Sequence, residues 1–232
     1  QDLFLIDQVQ KYKTLHDSID NRRILMAAEL LTTGKIVIES DDFVKYEVDY
    51  GRDASLNFSP ATLWSDVSAP IVDDINTMVA LLIAKGNAAP TVALTSTSVF
   101  NAMLKNTQFK ASFIAPVEQV QIAYAPQLID GMKAQYRGMI GSVQIWVYDA
   151  VIKTGGATTR LIPNDFFALI SDMNGVLAHC AIQNLKAFGQ PLDYFDDQWY
   201  NPDPSALFMM TESSPLVVPS NPNGVVGGVD FI

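Results

Sequence analysis

The chain has 232 residues, of which 49% are hydrophobic and 10% aromatic, so it can bury a large core and is not disordered overall. Its formal net charge of −10 argues against a sequence-independent grip on nucleic acid, which needs Lys and Arg facing the phosphates. A single cysteine excludes an intrachain disulfide framework and a cysteine cluster for zinc, and it predicts synthesis inside the cell. The sequence contains no apolar run of 18 or more residues that would predict a membrane-spanning helix.

Residues 1–33 are predicted to form one long helix. Apolar or amphipathic side chains recur at alternating gaps of four and three residues, which places them along one side of a helix. No Pro or Gly interrupts the run, and Gly34 follows where a left-handed residue commonly ends a helix. At about 1.5 Å per residue, such a helix is roughly 50 Å long. By itself the pattern also fits an ordinary long amphipathic helix or one strand of a coiled coil. The stripe consists of Leu5, Val9, Tyr12, His16, Ile19, Arg23, Met26 and Leu30.

The period of the hydrophobic pattern changes to two after the helix, which predicts a β-hairpin. Lys35–Glu39 is the first predicted strand, Ser40–Asp42 the turn and Phe43–Tyr50 the second strand. Apolar and charged residues alternate in the second strand, so one of its faces is expected to be buried under the helix stripe. That face contains Val44, Tyr46, Val48 and Tyr50.

The next part of the chain alternates helix and strand, which predicts a compact α/β subdomain with helices packed on a small sheet. Pro70 stands at a plausible first helical position, and Gly86–Asn87 is expected to end that helix. Thr91–Leu94 is a predicted buried strand, and Ser96 or Thr97 is expected to cap the helix after it. The apolar face of the first helix is predicted to contain Ile71, Ile75, Met78, Leu82 and Ile83.

The second half of the chain is predicted to be mostly strand. Gly138–Gly141 marks a turn or bulge, and Gly155–Gly156 marks a hairpin tip. Proline is concentrated between Pro191 and Pro222, so this part is expected to be extended and to follow the surface. The predicted strands are Val143–Tyr148, Arg160–Pro163, Phe166–Ser171, Val176–Ile182, Ala206–Glu212 and Pro215–Val218. The other segments are a short helix over Pro116–Pro126 and an irregular stretch over Gln127–Lys133.

Motifs of catalysis are missing from the sequence, which has neither a glycine-rich phosphate loop nor a nucleophile elbow. His16 lies on the helix stripe and is interpreted as a packed or capped histidine rather than a ligand. His179 and Cys180 are neighbours in a predicted strand, so they point to opposite faces and cannot form a nucleophile–base pair. Cys180 is interpreted as a small buried hydrophobe. We therefore predict no enzyme and no catalytic, cofactor-binding or metal-binding residue.

Three acidic pairs and three tryptophans are candidates for binding sites. Asp41–Asp42, Asp73–Asp74 and Asp196–Asp197 lack the spacing of a calcium loop, and they are interpreted as a turn, a helix N-terminus and a solvated loop. Trp199–Tyr200, with the other tryptophans, could form a sugar platform, but core or interface aromatics are the favoured interpretation. The other two tryptophans are Trp64 and Trp146.

Five segments carry a resemblance to a known family, and they occur in one order along nearly the whole chain. The segments are Arg22–Ile36, Val48–Arg52, Trp64 with Pro70 and Asp73–Ile75, Tyr136–Tyr148 with its Gly-Met-x-Gly-x-Val pattern, and Ser213–Pro222 with its Ser-x-Pro-Leu pattern. No single segment is specific, but the ordered set resembles the lambda-type (E family) major capsid proteins of tailed phages.

This resemblance implies the α+β fold of the Hong Kong 97 phage capsid, with a long spine helix and a sheet in a peripheral domain and an inserted axial domain. On that basis residues 1–67 and 191–232 are expected to form the peripheral domain, and residues 68–190 the axial domain. The family's N-terminal arm and most of its extended loop are expected to be absent from this chain. Because the chain opens inside a helix, we expect that an upstream part was cleaved, is disordered or was omitted.

The implied function is that of a major head protein of a phage or prophage. Copies would assemble as hexamers and pentamers into an icosahedral shell around double-stranded DNA, without a cofactor, a membrane or a sequence-specific DNA contact. Scaffold and decoration proteins are further candidate partners. The implied location is the virion, after synthesis in the bacterial cytoplasm. The alternatives are a nanocompartment shell protein of the same fold and, less favoured, a small α/β hydrolase, which would need a pocket with convergent polar groups.

Contacts between subunits are expected on charged surfaces and should therefore be sensitive to salt. The candidates are the helix flank with Lys11, Lys13 and Arg22 and the acidic pair Asp196–Asp197. Without the upstream arm, this chain alone is expected to be a monomer or a small oligomer, because small interfaces are seldom stable by themselves.

Overall fold

The structure is a computed structural model that describes residues 2–40, 43–114, 134–154, 157–171 and 174–232. The predicted features that lie outside these ranges are the pair Asp41–Asp42, the helix Pro116–Pro126, the irregular stretch Gln127–Lys133 and the tip Gly155–Gly156. The chain divides into two compact units. Unit 1 comprises residues 1–27 and 175–218, and unit 2 comprises residues 28–174 and 219–232.

Helices and strands are mixed in the described residues, which confirms the α+β class. The helices are α1 (Asp2–Thr33), α2 (Ile71–Gly86), α3 (Thr97–Met103) and α4 (Thr107–Ser112), with short 3-10 helices at Ala54–Leu56 and Leu185–Ala187. The first seven strands are β1 (Lys35–Ser40), β2 (Phe43–Asp49), β3 (Val92–Thr95), β4 (Phe113–Ile114), β5 (Ala134–Ile140), β6 (Val143–Tyr148) and β7 (Val151–Thr154). The others are β8 (Ala157–Arg160), β9 (Phe167–Ile170), β10 (Gly175–His179), β11 (Phe195–Pro202), β12 (Ser205–Glu212), β13 (Pro215–Pro219) and β14 (Val225–Gly228).

Helix α1 has the predicted length, and it ends as predicted at Gly34, whose φ of +74° lies in the left-handed region. Its apolar stripe is buried only towards the C-terminal end. Met26 and Leu30 are 3% and 4% exposed, whereas Val9 is 69% exposed. The spacing of the stripe therefore predicts the helix but not how much of the stripe is covered.

The hairpin of β1 and β2 forms in the predicted place, but the half of the predicted buried face that lies towards the turn is open. Ile36 pairs with Val48 at the base of the hairpin and is fully buried. Towards the turn, Val44 is 89% exposed and Tyr46 is 64% exposed, so the prediction of a buried face is wrong there. No described residue covers this end of the hairpin. An alternating pattern predicts which side chains share a face, but not how far another element covers that face.

Unit 2 is built on a six-stranded sheet in the order β14-β9-β3-β6-β5-β4, in which only the pair β3–β6 is parallel. The run predicted as a central strand is β9, which lies between β14 and β3 as expected. Trp64 is fully buried and packs edge-on against Phe167 and Phe231 at ring distances of 4.7 Å. Its indole Nε1 donates to Asp74 Oδ2 at 2.8 Å. The pair Asp73–Asp74 thus lies at a helix N-terminus, as predicted.

Helix α2 confirms its predicted face except at one position. Ile71, Ile75, Met78 and Leu82 are buried, but Ile83 is 52% exposed. Pro70 precedes the first helical turn as the N-cap residue rather than occupying it. Ser96 caps α3, since its hydroxyl accepts from the Val99 amide at 3.2 Å.

Arg52 joins three separate parts of unit 2 through backbone carbonyls. Its Nη1 donates to the Leu31 carbonyl in the last turn of α1, and its Nη2 donates to the carbonyls of Leu56 and Gly227, each at 3.1 Å. Burial lowers the pKa of the guanidinium to about 10. A cation is favourable at this place because the last carbonyls of a helix have no partner within the helix and carry partial negative charge.

Unit 1 contains the first 27 residues of the chain and two sheets of two strands each, β10–β13 and β11–β12. The pair β11–β12 is antiparallel. Strands β12 and β13 confirm predicted strands, whereas β11 was missed. Pro202 ends β11, and the acidic pair Asp196–Asp197 lies within it, so its composition suggested a loop. Its pairing with β12 over the full eight residues overrides that local preference.

A substitution at Met26 tests whether the buried part of the α1 stripe faces a core. We expect Met26→Asp to lower the free energy of unfolding by several kcal/mol, because an unpaired carboxylate would enter a site that excludes water. Thermal unfolding is the measurement, and Ile24→Asp is the matched control, since Ile24 is 44% exposed on the same helix. A melting shift of only a degree or two for Met26→Asp would contradict the assignment.

The contribution of Arg52 is tested by Arg52→Met, which keeps an apolar stem but removes the guanidinium. Three carbonyl groups would lose their charged donor, so we expect the free energy of unfolding to fall by roughly 2–5 kcal/mol. Arg137→Met is the control, because Arg137 is exposed and lies on β5 of the same unit. Chemical denaturation of both variants should show a shifted midpoint for Arg52→Met alone.

Candidate subunit-contact surfaces

Arg23 is the centre of a polar network that fastens α1 within unit 1. Its Nη1 donates to Asp20 Oδ1 at 3.0 Å and to the Tyr194 hydroxyl at 2.9 Å. Its Nη2 donates to Asp193 Oδ1 at 2.5 Å and to Ser213 Oγ at 3.2 Å. The guanidinium also lies 4.6 Å from the centre of the Tyr194 ring. A residue placed on the apolar stripe by its spacing thus works as a polar connector.

Tyr194 shares this network through its hydroxyl, which donates to Asp20 Oδ1 at 2.5 Å. Burial, the hydrogen bond to Asp20 and the nearby carboxylates together raise the pKa of Tyr194 to about 12, although Arg23 acts in the opposite direction. The network therefore favours the neutral phenol over the phenolate.

His16 is packed and hydrogen-bonded, as the sequence predicted. Its ring stacks on Tyr194 with centroids 4.2 Å apart, and its Nε2 lies 2.9 Å from Asp196 Oδ1. The same carboxylate oxygen accepts from the Thr211 hydroxyl at 2.7 Å. Lys186 Nζ lies 2.6 Å from Asp197 Oδ2. The interpretation of Asp196–Asp197 as a solvated loop is therefore wrong, because both carboxylates sit on strand β11 and have partners in unit 1.

His179 and Cys180 have different surroundings. Cys180 is exposed, so its interpretation as a buried hydrophobe is wrong; it follows the last residue of β10, where the chain has left the sheet. His179 Nε2 lies 3.6 Å from Asp193 Oδ1. An open cleft of about 410 Å³ is lined by Cys180, Glu212 and Ser213 among others, but not by His179. Within the described residues no three His, Cys, Asp or Glu side chains are grouped as a metal site would require.

Exposed aromatic side chains mark the β11–β12 hairpin. Trp199 and Phe208 are cross-strand partners whose rings stack at 5.5 Å, and they are 44% and 45% exposed. Tyr200 beside them is 64% exposed. Trp64 is fully buried in the core, so it cannot belong to a sugar-binding platform. Exposed aromatic clusters of this kind are typical of surfaces that bind another protein.

The charged side chains predicted to contact other subunits differ in their partners within this chain. Lys11 Nζ pairs with Asp7 Oδ2 at 2.7 Å along α1, and Lys13 is exposed on the same helix. Asp196 and Asp197 are engaged within unit 1, as described above. The salt-sensitive docking of these groups on a second copy stays a prediction.

Comparison with known proteins decides the family. The family of phage major capsid protein E matches residues 8–229. The chain belongs to this family. Its resemblance to lambda-type capsid proteins is thereby confirmed, and so is the prediction of a phage capsid protein. No curated protein matches the chain.

Two solved structures are similar to this capsid-family chain. It superimposes with a TM-score of 0.79 on the crystal structure of a protein described as the capsid protein of a prophage of Escherichia coli CFT073, at 18% identity over 95% of this chain and 65% of that chain. The chain thus spans 65% of the length of that protein. A phage-related protein of Bordetella bronchiseptica RB50 gives a TM-score of 0.46 at 10% identity, over 89% of this chain and 61% of that one.

Family membership changes how the surfaces of this capsid-family chain are interpreted. The family is one of structural proteins, so the exposed aromatic and apolar side chains of this chain are candidates for contacts within a particle.

In the described part of the chain no helix is long and apolar enough to span a membrane.

The raised pKa of Tyr194 gives a prediction at alkaline pH. A tyrosine whose pKa is about 10 when unfolded and about 12 when folded stabilises the fold below pH 10, and this stability is lost as the pH rises from 10 to 12. We expect Tyr194→Phe to melt at a lower temperature than the unchanged protein at pH 8 and to show a smaller further loss between pH 10 and 12. Thermal unfolding across that range is the measurement. Equal alkaline slopes in the two proteins would contradict the assignment.

Proposed function

We propose that this chain forms the shell-building part of a major head protein, copies of which assemble as hexamers and pentamers into an icosahedral shell around double-stranded DNA. The observation that carries the proposal is the family match over residues 8–229. The fold shared with a protein described as a prophage capsid protein supports it. Catalysis and a cofactor have no place in this function.

The proposal includes the Hong Kong 97 type of architecture, with a peripheral domain at residues 1–67 and 191–232 and an inserted axial domain at residues 68–190. Those boundaries rest on the resemblance. The compact units of the chain change over at different places, after residues 27, 174 and 218.

Physical features of the surface agree with such a role. A stiff 32-residue helix can carry contacts along the shell, and the aromatic hairpin offers an apolar patch for a neighbour. The net charge of −10 repels packaged DNA, so the DNA would not adhere to the inner wall. Scaffold and decoration proteins are further candidate partners in the virion, after synthesis in the bacterial cytoplasm.

Electron microscopy of the protein expressed from its complete gene tests the proposal. We expect closed icosahedral shells of uniform diameter, because hexamers and pentamers of one subunit close a surface of fixed curvature. Particles isolated after infection or prophage induction should also contain nuclease-protected DNA.

The outcomes separate the shell functions from each other and from an enzyme. Closed shells that never contain DNA would favour a nanocompartment of the same fold over a phage head. A protein that stays monomeric at every salt concentration, alone and with the products of neighbouring genes, would contradict both.

A further inference from the structure

The loop of residues 182–190, here called the knob loop, presents two large apolar side chains to solvent. Leu185 is 95% exposed and Phe188 is 85% exposed. Isolated exposed leucines are common on protein surfaces, but two neighbouring side chains that expose nearly all their area call for an explanation.

The knob loop is closed and internally hydrogen-bonded. The amide of Ile182 donates to the carbonyl of Gln190 at 3.2 Å, and the amide of Gln190 donates to the carbonyl of Ala187 at 3.1 Å. The side chain of Asn184 accepts from the Lys186 amide at 2.9 Å and starts the 3-10 turn. These bonds close the loop upon itself and hold its backbone in one arrangement.

An unusual backbone conformation and an ion pair further define the knob loop. Phe188 has a φ of +53°, a left-handed conformation that a bulky residue rarely adopts without a reason. Lys186 lies between the two apolar residues in sequence, and its ammonium is held by Asp197 on β11. Because the loop is ordered in advance, its apolar groups would lose little conformational entropy on docking.

The β1–β2 hairpin of unit 2 offers a surface of matching character. Val44 and Tyr46 lie two residues apart on one strand, so they share a face, and they are 89% and 64% exposed. Among the described side chains, the large apolar groups with more than 80% exposure lie on these two surfaces alone: Val44, Leu185 and Phe188.

The hairpin is acidic, whereas the knob loop carries no carboxylate of its own. Residues 35–49 contain five acidic and two basic side chains, and residues 180–192 contain a single formal charge at neutral pH with His neutral, that of Lys186, which is paired with Asp197. The acidic charge disfavours the pairing of two hairpins with each other, and it does not oppose contact with the knob loop.

We propose that the knob loop of one copy docks on the Val44–Tyr46 face of the β1–β2 hairpin of a second copy. This inference rests on the proposed shell function. The contact joins different surfaces of identical subunits, and such a heterologous contact generates a closed ring when the rotation permits. It would cover the most exposed apolar side chains of both units at once.

The area involved explains why such a contact would operate only within an assembly. A large apolar or aromatic side chain buries on the order of 150–250 Å², so four of them on two surfaces fall short of the roughly 1,200 Å² of a stable interface. The contact would therefore be weak between two free copies and become effective when several contacts act together.

The test introduces repulsion and then removes it. The knob variant, Leu185→Glu with Phe188→Glu, places two carboxylates against an acidic hairpin. We expect its self-association to weaken at least roughly tenfold, since like charges in a contact oppose docking. The combined variant adds Val44→Lys with Tyr46→Lys and should recover assembly, because each contact becomes a pair of opposite charges. Sedimentation velocity and electron microscopy of the protein expressed from its complete gene are the measurements.

A matched control carries the same number of new charges at exposed apolar positions outside both surfaces. Val176→Glu with Ile83→Glu serves this purpose, since these residues are 64% and 52% exposed. The control should assemble like the unchanged protein. All variants should melt within a few degrees of it, because exposed substitutions seldom change stability greatly. If the knob variant melts much lower, the single change Leu185→Glu decides instead.

The results separate this inference from the proposed function. If the unchanged protein and the control form shells and the knob variant forms them equally well, the docking inference is wrong and the shell function stands. If the knob variant fails and the combined variant fails as well, the hairpin is not the docking partner. If the unchanged protein forms no shells and does not self-associate, the shell function itself is wrong.

Discussion

The structure of unit 2 depends on one buried guanidinium. Arg52 donates to carbonyl groups in the last turn of a long helix, in a 3-10 turn and in the strand β14. Among the described residues it has no carboxylate partner. Gly34 shares in this constraint, because a Cβ there would come within 2.8 Å of the Arg52 Cβ and its φ of +74° disfavours other residues. A helix that ended one residue later could not present the Leu31 carbonyl to this arginine, so the length of α1 and the position of the sheet are set together.

In unit 1, by contrast, the helix is held mainly by polar contacts. Arg23, His16 and Tyr12 lie on the side of α1 that an apolar stripe would occupy, and all three bond to the segment between Asp193 and Asp197. Polar contacts fix direction and register more strictly than apolar packing, because each needs a partner at a defined distance. The half of the helix that extends furthest from the buried Met26 is thereby placed by hydrogen bonds rather than by burial.

Local patterns predicted the elements whose signals lie within a few residues. The long helix, its Gly34 end, the Ser96 cap and strand β9 are examples, since spacing and capping chemistry depend on neighbours in sequence. The exposure of Val44 and of Cys180 could not be predicted, because it depends on what distant parts of the chain cover. Strand β11 was missed for the same reason, since its pairing partner β12, and not its acidic composition, makes it a strand. The knob loop carried no sequence signal beyond Asn184 as a cap.

The order in which the sheet of unit 2 is completed has a consequence for biosynthesis. Strand β14 pairs with β9 although residues 171–224 lie between them in sequence. Gly227 lies so close to β9 that a Cβ would be 2.2 Å from the Phe167 carbonyl oxygen. Phe231 then closes the core against Trp64. A ribosome must therefore release the whole segment of unit 1 that follows β9 before this core can close. Nascent chains would hold an open edge at β9 until β14 has been synthesised, so rapid arrival of β14 limits premature association with other nascent copies.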